Sequence, residues 1–179
     1  MKRIHLYLLT GLSAAMAAAA AYFINTGNGI SAGLAATAAV LFIEYGVEKS
    51  VGLKNRRYIE AFNNTSMTVI EAVIIGGLLA SHELPGLIIA AVLSGLVVVK
   101  SLKSNAEDYT RESIDVRFGR RGRLAVAVIA MFLSTFNSYY VFIAGFVLIG
   151  TMVFDSGQIL YGLHSEKESS ELKERILSR

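Results

Sequence analysis

Leu124-Ala125-Val126-Ala127-Val128-Ile129-Ala130-Met131-Phe132-Leu133-Ser134-Thr135-Phe136, then Asn137-Ser138, then Tyr139-Tyr140-Val141-Phe142-Ile143-Ala144 and onward to Leu160, is the stretch whose reading decides the fold. Taken as one apolar run it is a single membrane segment. Taken with Asn137-Ser138 as a turn it is two. The charges arbitrate: a single segment leaves Lys167, Lys173, Arg175 and Arg179 on the side opposite the other basic residues. Cytoplasmic loops of membrane proteins collect Lys and Arg, so two helices are expected, Leu124–Phe136 and Tyr139–Leu160, the first starting earlier with Arg120 to Arg123 snorkelling toward headgroups.

The same reading extends to the rest of the chain. A bilayer core of about 30 Å takes about 20 helical residues, and further apolar stretches run over Leu6–Ile24, Ile30–Lys49, Ala61–Ala80 and Gly86–Leu102. Backbone polar groups in lipid must satisfy one another, so these are helices. Asn25-Thr26-Gly27-Asn28-Gly29 and Ser81-His82-Glu83-Leu84-Pro85 separate the members of each pair with residues that stop helices. The expectation is an all-α, polytopic six-helix transmembrane bundle over residues 1–163, followed by a charged cytoplasmic tail helix over 164–179. Glu171, four residues before Arg175, supports that tail helix.

Composition agrees. Of 179 residues, 54% are hydrophobic and 17% charged, whereas soluble domains carry roughly 25% charged residues. A soluble enzyme with its own polar surface is excluded. The absence of Cys removes disulfides, thiol nucleophiles and Cys-ligated metals, and His5, His82 and His164 form no metal-binding pair. All 17 Lys and Arg residues fall before the first span, in the second and fourth connections or at their borders, or after the sixth span. Both termini are therefore expected in the cytoplasm, in a multi-pass protein of the cytoplasmic membrane. Glu107, Asp108, Glu112 and Asp115 interrupt the basic stretch Lys100–Arg123, which suits lipid headgroups better than nucleic acid.

Ionisable residues inside spans cost about 2.5–3.5 kcal/mol at the bilayer centre and point to function. Glu44 and Glu48 share one face of the second span. Asn64, Thr68 and Glu71 form a polar stripe on the third, and Asp155 lies in the sixth. Together they make a candidate polar cavity open to the cytoplasm. Glu48 and Lys100 lie near enough to the interface to snorkel. Glu71 lies too deep for that and needs a partner, with Lys100 the nearest basic residue by depth. Lys100, Arg120, Arg121 and Arg123 are candidate phosphate or headgroup contacts.

The six-helix layout, with a short basic connection after helix two and a long one after helix four, resembles the CDP-alcohol phosphatidyltransferase family. The resemblance implies an integral membrane enzyme that moves a phosphatidyl group from a CDP-lipid to an alcohol, using metal ions held by four aspartates. Their motif is Asp-x2-Asp-Gly-x2-Ala-Arg-x8-Gly-x3-Asp-x3-Asp. Anchored on Gly46, its first two aspartates fall at Phe42 and Tyr45. With one extra loop residue its second Gly falls at Glu60 and its last aspartates at Asn64 and Thr68; without that residue the aspartates fall at Asn63 and Met67. None of the four is present in either register. Ala61-Phe62 resembles the Ala-Phe that follows the family's Gly, and Thr10 matches a Thr of its first helix, with Tyr7 in place of an Asn. Arg120 and Arg123 resemble its Arg pair around the acceptor-phosphate pocket.

Hard divalent cations need several oxygen ligands, chiefly carboxylates, against a diphosphate. The expectation is thus a degenerate relative without catalytic residues, metal or cofactor, serving as a lipid-binding, regulatory or partner subunit. Its expected partners are membrane lipids, a CDP-lipid or anionic headgroups, and a second copy or another membrane protein. Two other readings remain open: an active transferase using Mg²⁺ or Mn²⁺ on Glu44, Glu48 and Glu71, and a small transporter using Glu71 and Asp155.

Overall fold

The computed structural model describes residues 3–50, 56–82, 84–110, 116 and 118–177; for 3, 4, 49, 50, 56–58, 60, 109, 110 and 165–177 it describes the helical backbone alone. Among the described residues the chain forms six α-helices: α1 (Arg3–Asn25), α2 (Gly29–Ser50), α3 (Arg56–Ala80), α4 (Gly86–Thr110), α5 (Gly119–Ser134) and α6 (Tyr139–Leu177). All but α5 are long and apolar enough to cross a membrane. The chain is a polytopic α-helical membrane protein.

The helices alternate in direction. α1 and α3 run parallel, with Tyr7 edge-on to Phe62 at 5.1 Å near one end and a Cβ on Gly77 placed 2.6 Å from Ala21 near the other. α4 and α6 also run parallel, Ile88 beside Gly145 and Gly95 beside Met152. α5 is antiparallel to α2 along its whole length: Gly29 faces Met131 and Thr135, Gly33 faces the Phe132 ring, and Glu44 bonds Arg121. At 1.5 Å per residue α5 is about 24 Å long, shorter than the roughly 30 Å hydrocarbon core. The helix starts ahead of Leu124, as the arginines before the apolar run suggest: it begins at Gly119, whose φ of +44° turns the chain sharply after Phe118. It ends at Ser134, before the expected Phe136.

Two ends result. The 25–29, 80–86 and 134–139 turns share one end, free of Lys and Arg; Arg3, Ser50, Arg56, Thr110 and Gly119 bound the other. α6 continues through Leu177 without a break between the apolar segment and the charged tail. The bundle centre is packed with small residues on α1 and α2, among them Ala17, Ala20, Ala32, Ala35, Ala36 and Ala39, and with larger ones on α3 such as Ile74, Ile75 and Leu78. Small side chains let helix backbones approach closely where lipid supplies no hydrophobic drive. Buried Ser13 ties α1 to α2 by donating its hydroxyl to the Ala39 carbonyl at 2.6 Å. Outward-facing positions such as Leu12, Leu34, Leu41, Val97, Ile129, Phe146 and Val153 are apolar and exposed, as a lipid-facing surface requires. On α6 exposed Tyr139 and Tyr161 are about 33 Å apart along the axis, close to one hydrocarbon thickness.

Candidate functional site

Charged side chains meet in the basic-end half of the bundle, where α5 begins. Arg123 lies one turn into α5 and points inward. Its Nε donates to Glu71 Oε1 of α3 at 2.7 Å, and its Nη1 donates to Asp155 Oδ2 of α6 at 2.8 Å. Only 8%, 5% and 0% of the three side chains is exposed. One guanidinium thus joins three helices across two carboxylates. Phe118, just before α5, packs edge-on against Phe154 at 5.7 Å and fastens the start of the helix beside Asp155.

Arg121, two residues earlier and so on the opposite, outer face of α5, donates from Nη2 to Glu44 Oε2 of α2 at 2.6 Å. Arg120 is half-buried, within electrostatic reach of Glu71 and Glu44, and its Nη1 is buried without a hydrogen-bond acceptor among the described residues. Asp155 Oδ1 is likewise buried without a donor. Lys100 of α4 donates from Nζ to Thr68 Oγ1 at 2.8 Å, and the Thr68 hydroxyl donates to the Asn64 carbonyl at 2.7 Å.

Of the expected cavity residues, Glu71 and Asp155 come together, through Arg123. Glu44 pairs with Arg121, Thr68 with Lys100, and Asn64 and Glu48 are exposed. Two expectations are corrected. Glu71 has Arg123 as its partner instead of Lys100, because α5 inserts between the carboxylates while Lys100 meets α3 one turn nearer the basic end. Arg123 does not snorkel toward headgroups: two buried carboxylates hold it inside, at shorter range than the interface offers.

Of the positions matched to the transferase motif, Phe42 is half-buried, Tyr45 is exposed, Gly46 is buried against Leu6 and Leu9, and Glu60 lies outside the residues whose side chains are described. Buried Asn63 and Met67 occupy the alternative register. Among the described residues no group of three His, Cys, Asp or Glu side chains is placed to hold a metal ion. At the opposite end a recess between the 80–86 and 134–139 turns is lined by His82, Leu84, Pro85, Asn137, Ser138, Tyr139 and Phe142, none of them an expected site residue. Set against models of known families, curated proteins and solved structures, the chain matches none.

Proposed function

We propose that this membrane protein is a non-catalytic relative of the CDP-alcohol phosphatidyltransferases, set in the cytoplasmic membrane with both termini inside, and that it binds lipid as a regulatory or partner subunit. The observation that carries the reading is the occupation of its carboxylates by its own cations. Glu71 and Asp155 accept from Arg123, and Glu44 accepts from Arg121. A metal-diphosphate centre needs free carboxylates. Here a guanidinium already neutralises each one that the alternative transferase would recruit, apart from exposed Glu48. Thr68, aligned with a motif aspartate, carries the Lys100 ammonium, a fixed positive charge in place of a ligand for one.

The same pairing weighs against a carrier working through Glu71 and Asp155, since moving a solute or proton past them requires breaking two buried charged hydrogen bonds. The orientation rests on the absence of Lys and Arg from the sequence of the three turns at the other end.

The test is thermal stability of the detergent-purified protein with CDP-diacylglycerol or CMP, with and without Mn²⁺. Stabilisation by the CDP-lipid without metal is expected. CMP release that depends on metal and on an alcohol acceptor would overturn the reading in favour of an active transferase. Uptake into proteoliposomes abolished by Glu71→Gln would overturn it in favour of the carrier.

A further inference from the structure

The geometry points to a binding site for the phosphate of an anionic lipid at the basic-end border of α3 and α4, with the Lys100 ammonium as its anchor. This deepens the lipid-binding reading above, naming the class of lipid and the place, and rests on that reading for lipid as the ligand. Lys100 is exposed, yet it is not extended freely into solvent: its Nζ is held on Thr68 Oγ1 at 2.8 Å. Thr68 has already given its proton to the Asn64 carbonyl, so its hydroxyl presents a fixed lone pair to the ammonium. An ammonium has three donors. Thr68 takes one, and no other acceptor meets Lys100 among the described residues.

Charge separates Lys100 from its basic neighbours. Lys103 is 3.6 Å from Glu107, Arg121 is paired with Glu44, and Arg123 is paired twice. Among the described residues Lys100 is an exposed cation with no carboxylate within ion-pair distance. Its depth matters as much. α4 and α6 run in register from Ile88 beside Gly145 to Gly95 beside Met152. Continuing that register sets Lys100 about 6 Å, one turn, from the level of exposed Tyr161, toward the membrane interior. A lysine on a lipid-facing helix at this depth meets headgroup phosphates before bulk water.

The surroundings fit a lipid better than a soluble anion. Val97 and Val98, about one turn deeper on α4, are exposed and apolar, a surface for acyl chains. Asn64 and Thr65, one turn nearer the basic end on α3, are exposed and polar, a surface for the glycerol and headgroup. The phosphate would sit between the two and accept the remaining ammonium protons, with charge-assisted bonds stronger than that to Thr68.

The experiment titrates phosphatidylglycerol into zwitterionic micelles of the full-length protein and reads thermal stability, with phosphatidylcholine, inorganic phosphate and CDP-diacylglycerol as separate arms. Stabilisation by phosphatidylglycerol, with the half-effect concentration raised about fivefold in Lys100→Gln and unchanged in Lys103→Gln, is the expected result. Thr68→Val, which removes the acceptor that positions the ammonium, should also weaken the response and carries the test if Lys100→Gln does not fold. An undiminished response in both variants would overturn the site. An equal, Lys100-dependent response to inorganic phosphate would overturn the lipid as its ligand. A response to CDP-diacylglycerol with none to phosphatidylglycerol sinks this site and leaves the reading above standing. The reverse, dependent on Lys100, sinks the transferase-derived reading and leaves this site.

Discussion

The Arg123 guanidinium on α5 lies 2.7 Å from the Glu71 carboxylate on α3, both side chains more than nine-tenths buried, with Asp155 of α6 on its other nitrogen at 2.8 Å. A charge placed in lipid is costly, and here three are placed together so that each lowers the cost of the next. α5 contributes less apolar length than its neighbours, and its N-terminal arginines supply the attachment that length does not. Through Arg121 and Arg123 this helix is bonded to α2, α3 and α6.

Removing Arg123 should therefore be far more damaging than removing the whole charged group. Arg123→Leu leaves two buried carboxylates without a cation and should cost about 3–5 kcal/mol, whereas Arg123→Leu with Glu71→Leu and Asp155→Leu should come within about 1–2 kcal/mol of the parent or exceed it. Denaturant unfolding in mixed micelles, followed by helix content, measures both. If the triple variant is as unstable as Arg123→Leu, the group is held by something besides pairing. If it is stable yet lacks the CDP-lipid response, the triad serves the ligand as well as the fold.

Adjacent Gly76 and Gly77 should respond to alanine in opposite directions. A Cβ on Gly77 would lie 2.6 Å from the Ala21 Cβ and 2.9 Å from its Cα, so α1 and α3 must move apart, at about 1–3 kcal/mol. A Cβ on Gly76 meets nothing within 4 Å, and replacing a helical glycine by alanine gains up to about 1 kcal/mol. Thermal denaturation of the two single variants checks the pair, and equal effects would mean that α1 does not press on α3 at Gly77.

Much of this architecture was legible in the sequence, and the illegible part has a physical pattern. The Asn-Gly, Pro-Gly and Asn-Ser turns place one end of every helix to within a few residues, because those residues stop a helix locally. The basic ends were read short: α4 was expected to end at Leu102 and runs to Thr110, because hydropathy marks where the apolar surface stops, not where the backbone hydrogen bonds stop. For α5 hydropathy says only that the helix starts ahead of Leu124, and arginines look like the edge of a span unless their partners are known. The partner of Glu71 was hidden because it lies 52 residues away on a helix whose neighbours only the packing decides. One signal was present. Glu71, near the middle of its span, demanded a cation at its level, and Arg123 is the α5 arginine nearest to its apolar run.

The buried hydroxyl of Ser13 should matter modestly. It donates to the Ala39 carbonyl, which the α2 backbone also uses, so Ser13→Ala removes one interhelical bond without leaving a buried donor. A loss of about 0.6 kcal/mol, at most about 1.7, is expected from hydrogen bonds between membrane helices. Denaturation of that variant checks it; a loss above 3 kcal/mol would mean that the α1–α2 contact depends on this bond far more than on its alanine packing.

The orientation and the crossing by α5 can be read from one set of labels, because the chain has no Cys of its own. Single substitutions Asn28→Cys, Pro85→Cys and Ser138→Cys sample the three turns at the end without Lys or Arg, and Glu48→Cys and His164→Cys sample the basic end. In intact cells an impermeant maleimide should modify the first three, and the last two only after the membrane is opened, if the basic end faces the cytoplasm. Ser138→Cys decides the case of α5. α5 lies antiparallel beside α2 from Arg121 at Glu44 to Thr135 at Gly29, so Ser138 must share a compartment with Asn28. Protection of Ser138→Cys together with His164→Cys, while Asn28→Cys reacts, would mean that α5 and α6 do not reach the outer end, and the arrangement of α5 against α2 would be wrong.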